Sequence, residues 1–167
     1  MKTTCNATTL VYLAKLGKLN LLKDLFKEVL IPYEVYVEVV VKGKKDFALE
    51  AGLIEEALKE GWIKKQKIKA EKKLLKFAFE LDKGETEVIQ LARNSKADLV
   101  LIDDASARTI AESFGLNVKG TVFVLLKAYS KKLLSLKEAK ELLNRLIFAG
   151  FRLSPELYAK ILQEIEK

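Results

Sequence analysis

Six oxygen-bearing side chains stand where they can do chemistry together. Asn6 follows the apolar start of the chain, and Glu38 lies within YEVYVEVV (33–40). Glu85 and Glu87 fall in GETEVIQLA (84–92), and Asp103 and Asp104 close DLVLIDD (98–104). Carboxylates gathered in one pocket repel each other, and a divalent cation between them lets them stay ionised together. An oxygen-only ligand set suits Mg²⁺ or Mn²⁺. Such a metal activates water and stabilises charge on a phosphoryl group, so phosphodiester hydrolysis is the chemistry these residue types support. Each side chain also has a plain structural use. Asp104 fits as the N-cap of a helix over 105–115, with Asp103 a solvated loop acid. Glu85 complements the positive end of its own helix. Glu38 and Glu87 suit an exposed helix face, and Asn6 a turn. Spacing alone leaves both uses open.

The elements that must position these groups alternate between strand and helix. KTTCN (2–6) is a short strand, 8–17 and 18–26 are helices parted by Gly17, and 28–32 is a strand stopped by Pro32. Segment 33–40 is ambiguous: its β-branched residues favour a strand, whereas Pro32 followed by Glu34 favours a helix start. Helices are expected over 46–61, with a break possible at Gly52, and over 71–84, 85–95 and 105–115. WIKKQKI (62–68) alternates like a half-exposed strand and LNVKG (116–120) is another. DLVLI (98–102) is apolar nearly throughout, as a parallel strand covered on both faces should be. The remainder is helical, with a capping box at Ser135 and Glu138 and a last helix opened by Ser154 and Pro155. The pattern predicts one α/β domain over 1–167 with a small, mostly parallel sheet. Sites in such sheets collect beyond the carboxyl ends of the strands, where Asn6, Asp103 and Asp104 fall.

Composition narrows the function classes. The chain has 167 residues, no histidine and one cysteine, Cys5. Ser-His-Asp triads, Cys-His pairs and imidazole-held zinc are excluded. Cys5 is expected as a buried, inert thiol. The net charge is +7, which permits a polyanionic partner. KKQKIKAEKKLLK (64–76) holds seven lysines and one acid, enough to attract a phosphate backbone and equally a solvated face. The P-loop signature is absent, and paired acids this late in the chain do not suit a phosphoacceptor receiver domain. No apolar run reaches the roughly 18 residues of a membrane span, and no signal peptide is visible, so a cytoplasmic protein is expected.

The order CNATTLVYLAKLGKLNLLKDLF, EVLIPYEVYVEVV, LDKGETEVIQLA, LVLIDDASARTIAESFGLNVKGT and GFRLSPELYAKIL resembles the PIN-domain family, more narrowly a prokaryotic PIN-like subfamily. The likeness runs from about residue 3 to 165. It implies a three-layer α/β/α sandwich and an acidic cluster that binds Mg²⁺ or Mn²⁺ and hydrolyses single-stranded RNA. It also implies a possible toxin role, with an antitoxin protein as partner, and a homodimer. By this resemblance Glu38 matches the second acid of the family pattern. Glu85 matches the third, with Glu87 as the neighbouring alternative. Asp103 or Asp104 matches the fourth, Asp104 aligning better. Together with Asn6 these residues would surround one or two metal ions. Thr8 falls where a Ser or Thr assists the first acid, and Arg108 lies one helical turn beyond Asp104, placed to pair with an acid or contact phosphate. The departure is at the first acid, which falls at Asn6. An amide oxygen reaches a cation but brings no charge. Thr9 likewise stands where the subfamily often has proline. Two functions follow: a metal-dependent endoribonuclease, or a catalytically impaired module that binds RNA or a partner protein.

Overall fold

The apolar run Leu99–Leu101 forms a strand, β4, buried along its whole length. In the computed structural model, which describes residues 1–167, it lies beside β1 (Thr3–Cys5) in a five-stranded sheet. The other strands are β2 (Val29–Pro32), β3 (Ile63–Gln66) and β5 (Val118–Lys119). Their order is β3-β2-β1-β4-β5 and every pairing is parallel, with Cys5 opposite Leu101. The expected small, mostly parallel sheet is therefore wholly parallel.

Parallel neighbours need crossover helices, and right-handed crossovers decide which face each one covers. The chain steps from β1 to β2 to β3 in one direction, then returns past β1 to β4 and β5. This places α1 (Ala7–Lys15), α2 (Asn20–Phe26) and α5 (Ala48–Glu60) on one face. It places α7 (Lys83–Ser95) and α8 (Ala105–Ser113) on the other. Helix α9 (Thr121–Ser130) packs on α1 and α2, α10 (Leu136–Phe148) on α9, and α11 (Pro155–Glu166) on α10. The result is the expected three-layer α/β/α sandwich. Its core is one cluster of 38 buried apolar residues drawn from both helical layers and the sheet. Cys5 lies within it, fully buried, and burial raises its thiol pKa well above the usual value. No helix is long and apolar enough to cross a membrane.

Several local predictions hold. The capping box at Ser135 and Glu138 has both its bonds, at 3.1 and 2.7 Å, and Ser154 caps α11 at 3.1 Å. Gly52 does not break α5. The ambiguous segment 33–40 is helical: α3 (Tyr33–Tyr36) widens into a π turn over Val37–Val41. Pro32 ends the strand, and the wide turn buries Val39 and Val40 while Glu38 stays outside. A short α4 (Gly43–Asp46) then precedes α5.

One expectation fails. The helix over 71–84 is a single turn, α6 (Lys72–Leu75), followed by tight turns such as Phe77 N–H to Leu74 O and Glu80 N–H to Phe77 O. Leu74 and Leu81 are buried at helical spacing, which explains the prediction. Lys72 and Lys76, four apart and alike in charge, oppose a regular helix there. Helix α7 begins at Lys83, two residues before the expected start, with Asp82 as its N-cap.

Candidate functional site

The strand order turns back on itself between β1 and β4, and in such sheets the carboxyl ends of the two strands at the reversal are where a ligand crevice is expected. Asn6 and the Asp103–Asp104 pair flank it. The Asn6 backbone N–H donates to Leu101 O at 2.9 Å, fastening the first residue after β1 to the end of β4. The Asn6 side chain is the N-cap of α1, its Oδ1 accepting from the Ala7 N–H at 2.8 Å. Asn6 is buried, so this cap is shielded from water.

The two adjacent acids do different work. Asp104 is exposed and caps α8, its Oδ1 accepting from the Ala107 N–H at 2.8 Å. Asp103 is half-buried and accepts three bonds. Its Oδ1 takes the Thr121 N–H at 2.7 Å, and its Oδ2 takes the hydroxyls of Thr121 at 2.6 Å and Thr9 at 3.1 Å. Thr9 and Thr121 are fully buried. Asp103 therefore ties the first turn of α1, the end of β4 and the first turn of α9 into one clamp. Gly120 makes room for it: a Cβ there would stand 2.5 Å from Asp103 Oδ1. The solvated loop acid expected at 103 is thus corrected to a clamped one, because both its oxygens face donors from distant elements.

Glu38 and Glu85 approach from the far side of the crevice. Gly84 leaves room for Glu38 at the start of α7, since a Cβ there would lie 3.2 Å from Glu38 Oε2 and 3.4 Å from Asp82 Oδ1. Glu85 is the third residue of α7 and closes a capping box with Asp82. The Glu85 N–H donates to Asp82 Oδ1 at 2.7 Å, and the Asp82 N–H donates to Glu85 Oε2 at 2.9 Å. Burial pushes the Glu85 pKa up to about 7, with the charges of Asp82, Asp104 and Glu38 adding to the rise and the Asp82 N–H opposing it. The Glu38 pKa is raised by burial and by Asp82 and Glu34, and Lys42 opposes this. Although much of Glu38 is exposed, its Oε2 lies against the start of α7, and that packing accounts for the burial effect.

Glu87 points elsewhere. Burial raises its pKa, opposed by the Glu34 backbone N–H and by the Lys83 charge and aided by the Glu34 charge, and Lys83 itself pairs with Glu34 at 3.2 Å. Glu85, which feels Asp104 and Glu38, is the better placed of the two glutamates. Thr8 is exposed and lines a groove with Glu38, whereas the neighbouring Thr9 is the threonine that serves an acid. Arg108 is half-buried beside Gly120, its Nη1 3.5 Å from where a Cβ would stand, and it forms no ion pair.

The family model described as PIN domain matches residues 2–167. The chain belongs to the PIN-domain family. No curated protein and no solved structure matches it at a significant level. In this PIN domain, Asn6, Asp104 and Glu85 each spend an oxygen on the N-terminus of a helix, and Asp103 spends both. No three acidic, histidine or cysteine side chains converge in a group that would hold a metal ion. Four participants were given no role from the sequence: Asp82, Thr9 as a hydrogen-bond donor, and Gly120 and Thr121, which stood only as part of the run that carries the family resemblance. Asp82 had a visible signal, since Asp followed three residues later by Glu is a capping pattern. Gly120 and Thr121 were marked by the family resemblance, but their role was not legible because Thr121 lies 18 residues from the Asp103 it binds.

Proposed function

We propose that this PIN domain binds single-stranded RNA at the carboxyl edge of its sheet and is impaired as a nuclease. Asn6 carries the reading. It stands where the family resemblance places the first acid, it brings no charge, and its Oδ1 is committed to the Ala7 N–H. The net charge of +7 and the unpaired Arg108 beside the crevice support attraction of a phosphate backbone. A second reading, hydrolysis of RNA with Mg²⁺ or Mn²⁺, is supported by the surroundings of Glu85, whose pKa is raised first by burial and then by the charges of Asp82, Asp104 and Glu38. Relief of such repulsion is what a divalent cation offers.

Wild type and Asn6→Asp separate the two. Each is tested for binding of a labelled single-stranded RNA in EDTA and for cleavage of it in Mn²⁺. Both are expected to bind, and only Asn6→Asp to cut. Wild-type cleavage that equals that of Asn6→Asp and stops with EDTA would overturn the proposal in favour of the second reading.

A further inference from the structure

Two grooves flank the exposed side of α1 and meet at Lys15, which lines both. The first, about 480 Å³, starts at the candidate site between Thr8 and Glu38 and passes Tyr12, Phe47 and Lys42. The second, about 730 Å³, lies between the end of α1 and one stripe of α10, where Lys137, Arg145 and Phe148 face it. These three positions recur at helical spacing, so they share one side of α10. From Thr8 to Lys15 the trough follows α1 for about 10 Å, and the α10 stripe adds about 16 Å.

The side chains of this trough are left open. Lys15, Lys42, Lys137 and Arg145 take part in no ion pair, whereas Lys44 and Lys64 elsewhere are paired with Glu55 and Glu28. Phe148, the last residue of α10, is 95% exposed. Glu38, Asp46 and Glu141 also line the trough, and three acids leave its four cations in excess by one, with Lys137 and Arg145 facing a single acid, Glu141, on the α10 side. Unpaired cations along a groove release counterions to a phosphate backbone, and an exposed ring is a platform for a nucleobase.

We propose that this trough along α1 and α10 seats the single-stranded RNA that enters the acidic crevice, with phosphates along Lys42, Lys15, Lys137 and Arg145 and a base on the Phe148 ring. The inference rests on the RNA-binding reading above. The exposed Phe148 ring set among Lys137 and Arg145 favours RNA over an acidic peptide, because a nucleobase stacks on such a ring while its phosphates meet the cations.

The test is fluorescence anisotropy of a labelled oligouridine of about twelve nucleotides, in EDTA at two salt concentrations. The variants are Lys137→Glu/Arg145→Glu, Phe148→Ala and, as a control of equal charge change away from the trough, Lys59→Glu/Lys160→Glu on the exposed faces of α5 and α11. The double variant is expected to lose tenfold or more in affinity and to flatten the salt slope by about 1.4, for two lost phosphate contacts. Phe148→Ala is expected to lose about fivefold or more, and the control less than twofold. Thermal melts check that each variant is folded. Groove variants that are folded and bind like the control overturn the trough and leave the RNA-binding reading standing. Wild type that binds no RNA overturns both. Polyglutamate that displaces the RNA as well as oligouridine does, at equal charge, overturns the assignment to RNA.

Discussion

Replacing Asp103 by alanine tests the division of labour between the adjacent acids. The substitution removes the acceptor of three bonds, two of them short, at 2.6 and 2.7 Å, and all from donors on fully buried residues. Hydrogen bonds to a charged group contribute about 1.5–3 kcal/mol each, and a buried donor left unpaired costs about 1–3 kcal/mol. The three bonds share one carboxylate, and a freed threonine hydroxyl can turn to another acceptor, so the effects do not add in full. A loss of about 3 kcal/mol is expected. At this chain length each kcal/mol lowers Tm by about 2–4 °C, which gives a fall of about 6–12 °C. Asp104→Ala loses one cap on an exposed residue, about 1 kcal/mol or 2–4 °C. Parallel thermal melts by circular dichroism, supported by urea unfolding, compare the two. Equal shifts, or a larger shift for Asp104→Ala, would refute the clamp.

Gly120→Ala pushes a methyl to 2.5 Å from Asp103 Oδ1, and urea unfolding should show a loss of about 1–3 kcal/mol that shrinks in the Asp103→Ala background. Glu85, with a pKa raised from 4.5 to about 7, holds its proton more tightly when folded, so its contribution to stability falls as pH rises through that window. Glu85→Gln should therefore gain stability over wild type at pH 8 and not at pH 4, as measured by denaturant titration. Asp82→Asn keeps a capping side chain and removes a charge, so the Glu85 titration followed by carbon NMR should move down toward the ordinary glutamate value.

Local signals were legible where local forces decide. The apolar run ending at Leu101 forms an interior strand, one place from the middle of the sheet, and Ser135–Glu138 and Ser154 cap their helices as spacing predicts. Segment 71–84 misled because its buried leucines keep a helical period while its like-charged lysines oppose the helix. Segment 33–40 stayed ambiguous because its β-branched residues fit a strand, whereas the chain there is helical and widens into a π turn from Val37. At the site, the residue types and their placement beyond the strand ends were legible, and the roles within the acidic pair were not. Nothing local tells Asp103 from Asp104. Their difference comes from Thr9 and Thr121, which the sheet order and the α9 turn bring to one of them alone.

The most direct test of the central claim is calorimetric titration of Mn²⁺ into wild type and Asn6→Asp, which needs no knowledge of the RNA. Asn6 is uncharged and committed to the α1 cap, so Asn6→Asp should bind Mn²⁺ about tenfold or more tightly than wild type. Equal affinity in the two proteins would show that Asn6 is no impairment and would contradict the proposed loss of nuclease function.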